Sequence, residues 1–160
     1  SGVTAKQWSA RADTVWIDFS KGLGAPMGAC LAGSEETIDT AWLWKHRLGG
    51  AMRQSGLMAA AAIHALDYHV ERLADDHARA SRLAAALSGL GAEVVDPDTN
   101  MVFFDPRPCG VDGNEVVEGL TERGVRVSLI GNRVRAVTHL DVDDTDIDGA
   151  VAAFGEVLRR

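Results

Sequence analysis

Apolar positions recur with two periods along this chain, and the switches between them outline its elements. Residues 14–19 (Thr-Val-Trp-Ile-Asp-Phe) form a β-branched and aromatic run between Asp13 and Ser20-Lys21-Gly22, the pattern of a buried strand. Gly22-Leu23-Gly24-Ala25-Pro26 reads as a loop, and the small apolar residues 28–33 as a second short strand. Ser34 followed by Glu35 and Glu36 is an N-cap with acids in the first turn, predicting a helix to about Arg47 that Gly49-Gly50 ends. From Met52 an alanine-rich stretch carries Val70, Leu73, Ala74, His77, Ala80, Ala84 and Leu87 at helical spacing, predicting helix to about Ser88 with a bend near residues 68–70.

Gly89 and Gly91 stop that helix, and the remaining residues read as a small βαββα domain. Residues 93–95 and 101–104 are short strands around an Asp96-Pro97-Asp98 turn. Asp112 and Glu115 have the spacing of a capping box, opening a helix that buries Val116, Val117 and Leu120 and ends at Gly124. Residues 125–129 and 133–139 look like a hairpin around Gly131-Asn132, and Ile147, Val151, Phe154 and Leu158 form one stripe of a closing helix. The expected organisation is residues 1–88 and residues 89–160.

Length and composition narrow the class. The 160 residues, 46% hydrophobic and 24% charged, have room for one domain or two small ones with a real core. A net charge of -7 with scattered basic residues disfavours nucleic acid. The longest small-apolar run, residues 57–63, is far short of a membrane span, so a soluble, cytoplasmic protein with no membrane partner is expected. Cys30 and Cys109 have no paired spacing and suggest neither a zinc site nor a disulfide. The chain opens at Ser1 rather than methionine, which is the pattern of a processed chain or the downstream part of a longer one.

Lys21 is the most suggestive candidate for chemistry. A lysine directly after an apolar strand, on a glycine-flanked turn, can be desolvated so that its neutral amine condenses with a carbonyl. An ordinary solvated loop lysine is the commoner outcome of such spacing. Gly22 and Gly24 would need a third glycine where Met27 stands to make a dinucleotide fingerprint. Asp144, Asp146, Asp148 and Gly149 open like a calcium loop, but Gly155 occupies the position of the bidentate glutamate, so acids at a helix N-terminus are the better account. The five histidines form no metal-ligand pattern, and no metal site is expected. Arg133 and Arg135 alternate with Val134 and Ala136, so both guanidiniums fall on one strand face, suited to gripping a carboxylate or to a surface ion pair. Arg53, near a helix start, could meet a phosphate or solvent.

Four stretches taken together resemble the carboxyl-terminal half of the low-specificity L-threonine aldolases, pyridoxal-phosphate enzymes of fold type I. They are Phe19-Ser-Lys-Gly-Leu-Gly-Ala-Pro-Met-Gly28, Leu48-Gly-Gly-Ala-Met-Arg-Gln54, Val70-Glu-Arg-Leu-Ala-Asp-Asp-His77 and Arg135-Ala-Val-Thr-His-Leu-Asp-Val142, in the family's order and across nearly the whole chain. The resemblance implies an α/β fold: the C-terminal part of a large cofactor-binding domain with a bridging helix, then a small α+β domain. It implies Lys21 as the Schiff-base lysine for pyridoxal 5'-phosphate, Arg53 as a contributor to the cofactor-phosphate environment, and Arg135 as the ligand of the substrate carboxylate. Where many relatives have a lysine shortly before the glycine pair, this chain has Lys45 and His46.

The implied activity is retro-aldol cleavage of L-threonine or a related β-hydroxy-α-amino acid to glycine and an aldehyde. In the family, the base for the hydroxyl and the partner of the pyridine nitrogen belong to the amino-terminal half. That half is therefore expected as a partner, as is a homo-oligomer built as a dimer of dimers. Another fold-type I lyase, either a β-hydroxy-amino-acid dehydratase or a β-eliminating lyase, is the alternative activity, and a non-catalytic interface fragment is the alternative class.

Overall fold

In the computed structural model, which describes residues 2–159, a short helix α1 (Ala5–Ser9) precedes strand β1 (Val15–Asp18), and β1 pairs antiparallel with β2 (Ala29–Ala32), Val15 opposite Ala32 and Asp18 opposite Ala29. Helix α2 (Glu35–Arg47) starts as expected at Ser34, whose hydroxyl accepts from the Thr37 N–H, with Glu35 and Glu36 in the positive first turn. Helix α3 (Gly56–Tyr68) follows. Gln54 has a left-handed backbone (φ 51), which delays the start of this helix from the expected Met52.

Helix α4 (Leu73–Gly89) is separate from α3, so the long helix expected over residues 52–88 is broken where a bend was expected. The chain divides into two units between Val70 and Glu71, earlier than the expected boundary after Ser88. The reason is packing. Helix α4 buries Ala80, Leu83, Ala84 and Leu87 in the core of the second unit.

The first unit has little core of its own. Its buried apolar residues are Phe19, Leu23, Ala25 and Ala65, while Trp16, Ile17, Trp42, Trp44, Leu57, Ile63 and Leu66 are exposed. Helix α3 is apolar on all sides (Gly-Leu-Met-Ala-Ala-Ala-Ala-Ile-His-Ala-Leu-Asp-Tyr) yet buries only Ala65. Such a helix is ordinarily covered all round.

The second unit has one. Strands β3 (Glu93–Val95), β4 (Met101–Asp105), β5 (Ser128–Ile130) and β6 (Arg133–Val137) form an antiparallel sheet in the order β3-β4-β6-β5. Helix α5 (Gly113–Thr121) lies between β4 and β5 in sequence, and α6 (Asp144–Leu158) closes the unit. The order is ββαββα, and the strands expected at residues 93–95 and 101–104 pair with each other as β3 and β4 across the turn after Val95. Val102, Phe104, Val134 and Ala136 join Leu83, Leu87, Val116, Leu120, Phe154 and Val157 in a single cluster, with the Phe104 and Phe154 rings edge to face.

Charge is used sparingly inside this unit. Asp76 is fully buried on α4, paired with Arg72 (2.6 Å) and more distantly with Arg79 (3.9 Å). Thr138 donates its hydroxyl to the Asp76 carbonyl at 2.7 Å, fastening the chain after β6 to the helix. The acids once comparable to a calcium loop serve α6 instead: Asp143 and Asp146 form a capping box, and Asp144 and Asp148 pair with Arg79 and Arg82.

Candidate active site

Lys21 sits where β1 turns toward β2, on a loop closed at its base by two backbone bonds. Phe19 N–H donates to Gly28 O and Ala25 N–H to Phe19 O, both at 2.9 Å. A tight turn carries the lysine, with Gly24 N–H donating to Lys21 O at 2.9 Å. Gly24 (φ 71) and Gly28 (φ 121) adopt left-handed backbones that a side chain would strain, which accounts for glycine at both places. Phe19, Leu23 and Ala25 point inward and are buried, so the loop is anchored while the Lys21 side chain stays 75% exposed.

The near neighbour of the amine is Asp18, with Nζ 3.8 Å from Oδ2. Ser20 donates both its hydroxyl (2.8 Å) and its N–H (3.0 Å) to Asp18 Oδ1. The hydroxyl bond, opposed by burial and helped less by the N–H and by Lys21, holds the Asp18 carboxyl below its ordinary pKa. Asp18 therefore stays ionised within reach of the lysine amine. Sequence patterning did not single out Asp18, although its place three residues before Lys21 at a strand end was a usable signal.

Arg53 is exposed in the turn that leads into α3, immediately before the left-handed Gln54. Among the described residues it shares no hydrogen bond or ion pair with Lys21. Lys45 lies over the Trp42 ring at 4.5 Å, and His46 Nδ1 is 2.9 Å from the Trp42 carbonyl, so both residues near the expected family lysine position are engaged on α2 itself.

Arg135 belongs to the second unit, in the middle of β6. Val134 and Ala136 are buried while Arg133 is exposed and Arg135 half-buried, which places the two arginines on the sheet face opposite the core. Nε of Arg135 is buried and has no hydrogen-bond partner among the described residues. An unpaired buried guanidinium N–H is costly unless an acceptor arrives, and a carboxylate is the acceptor whose two oxygens match its fork. Within the first unit Lys21 offers an exposed amine suited to condensing with an aldehyde, and within the second Arg135 offers a guanidinium suited to a carboxylate.

Cys30 is exposed and Cys109 half-buried, and both are free thiols; burial pushes the Cys109 thiol up. No helix among the described residues is long and apolar enough to cross a membrane.

Comparison with known proteins bears on the whole arrangement. Residues 1–107 match the family described as beta-eliminating lyase. The chain is 38% identical over 159 residues to the low specificity L-threonine aldolase of Escherichia coli K12, covering 99% of this chain and 47% of that protein. It is 35% identical to the low-specificity L-threonine aldolase of Candida albicans, covering 99% of this chain and 42% of that protein. A solved structure from Exiguobacterium sp. 255-15, provisionally assigned as an aromatic amino acid beta-eliminating lyase/threonine aldolase, superposes with a TM-score of 0.73 at 22% identity, over 97% of this chain and 48% of that one. The likeness bears out the expected α/β architecture of fold type I. The chain spans about half the length of the curated relatives it matches.

Proposed function

Because the chain belongs to the beta-eliminating lyase family, we propose that it is the Lys21-bearing part of a pyridoxal-phosphate-dependent aldehyde-lyase that cleaves L-threonine or a related β-hydroxy-α-amino acid to glycine and an aldehyde. The observation that carries this reading is the placing of Lys21: an exposed amine on an anchored loop at a strand end, beside an ionised Asp18. The similarity to low-specificity L-threonine aldolases over 99% of this chain supports the substrate class.

Pyridoxal phosphate, when bound, supplies an electron sink conjugated to the substrate Cα. Lys21 would hold the group through its Nζ, on the loop anchored by Phe19, Leu23 and Ala25. The Lys21 amine, when free, would be the group of this loop able to carry a proton, with Asp18 3.8 Å away. Arg135 takes the substrate carboxylate on its open fork, and Arg53 contributes positive charge to the phosphate. The base that removes the β-hydroxyl proton belongs to polypeptide outside this chain, as does the group that holds the pyridine nitrogen.

That assignment makes a further polypeptide part of the active unit, and the exposure of Trp16 and Ile17 on β1, of β2 and of Leu57, Ile63 and Leu66 on α3 supports it. We assign the assembly as a homo-oligomer, with a dimer of dimers as the state that mass photometry of the active species should find. Product analysis tests the chemistry. With L-threonine the complete assembly should yield glycine and acetaldehyde in equal amounts; an oxo acid plus ammonia would make it a dehydratase, and no turnover would favour a non-catalytic role.

A further inference from the structure

The loop that presents Lys21 is held by one side chain from far along the chain. His69 Nδ1 lies 2.6 Å from the Leu23 carbonyl, a contact between residues 46 apart in sequence. Among the described residues it is the only side-chain hydrogen bond from α3 or its cap to this loop. A carbonyl can only accept, so Nδ1 carries the proton and the hydrogen bond fixes the ring's tautomer.

The consequence lies in the peptide plane. The Leu23 carbonyl and the Gly24 N–H are opposite ends of one rigid trans peptide unit. His69 holds the carbonyl end, and the carbonyl of Lys21 holds the N–H end at 2.9 Å. Rotation of that plane would break both bonds together and release the backbone of Lys21. The bond is part-buried, so loss of His69 would leave the Leu23 carbonyl without its protein partner. His69 is itself seated: its ring meets the His64 ring edge to face at 5.3 Å, and its own N–H donates to Ala65 O, capping α3.

We propose that His69 is a positioning residue for Lys21, locking the Leu23–Gly24 peptide so that the amine is presented in one direction. This rests on the assignment of Lys21 as the cofactor-binding lysine, and the test separates the two. In the complete, cofactor-free protein, amide hydrogen exchange at Gly24 should speed up roughly fivefold to tenfold in His69→Ala. In His69→Asn, whose side-chain N–H can occupy the place of Nδ1–H, it should stay near the wild-type rate. Exchange within α3 serves as the control.

With pyridoxal phosphate and borohydride, the rate of covalent labelling at Lys21 should fall in His69→Ala and recover in His69→Asn. An unchanged Gly24 rate in His69→Ala, an Asn variant as fast as the Ala variant, or equal acceleration along all of α3 would each overturn the proposal. So would an unchanged labelling rate. Absence of labelling at Lys21 in the wild-type protein would instead overturn the proposed function, leaving the exchange result to decide whether His69 holds the turn.

Discussion

Asp18 and Asp105 show how the same side chain is put to two uses in one chain. Asp18 meets two short bonds from Ser20 and a distant lysine, remaining ionised beside an amine that is free to move. Asp105 is almost covered and is gripped by the Arg107 fork and N–H, which bring its carboxyl down to about 2. That difference has a measurable sign. The folded value lies below the ordinary 3.8, so the contribution to stability is complete above about pH 4 and is lost as pH falls toward 2. Urea melts of the second unit should therefore show a loss of stability over that window that Asp105→Asn lacks. Equal slopes in the two proteins would mean that another carboxyl is responsible. At this scale the sequence was informative about Lys21, whose strand-end glycine turn was legible. It was silent on His69, whose role comes from a contact 46 residues away that no local pattern records.

Elements were legible where their signals are local and partly illegible where a neighbour competes. Asp112 and Glu115 form the capping box that their spacing foretold, and Asp143 and Asp146 make a second one. Residues 125–127 looked like strand, yet only Ser128–Ile130 pair with β6. The chain is still finishing α5 there: Val125 N–H donates to Leu120 O and Gly124 N–H to Thr121 O, a glycine-ended helix stop that takes the amide the ladder would need. Helix α4 was legible as a helix but not as part of the second unit, because its stripe does not say which sheet it meets. Packing there is tight, with Leu87 and Phe154 at 0% and 1% exposure. Phe154→Ala should cost the second unit about 3–5 kcal/mol, read as a lower urea midpoint with the first unit's exchange unaffected. A loss within about 0.5 kcal/mol would mean that this core is looser than the burial indicates.

The whole molecule joins a unit with its own core to one without. The second unit pairs four strands under three helices around Phe104 and Phe154, whereas the first displays a two-stranded sheet and an apolar helix to solvent. A two-stranded sheet is marginal alone, and the chain spans about half the length of its curated relatives. Hydrogen exchange of the 160-residue polypeptide by itself should accordingly show protection concentrated in residues 80–158 and weak protection over residues 15–68. Addition of a polypeptide supplying the rest of a family domain should slow the first unit and leave the second nearly unchanged. Uniform protection without it would contradict the partner requirement.

The central claim, that Lys21 carries the cofactor, is tested most directly by borohydride reduction of the complete assembly with pyridoxal phosphate followed by peptide mapping. The account predicts one stable phosphopyridoxyl adduct on Lys21, abolished in Lys21→Ala. Reduction that leaves Lys21 unmodified while labelling another lysine would contradict it.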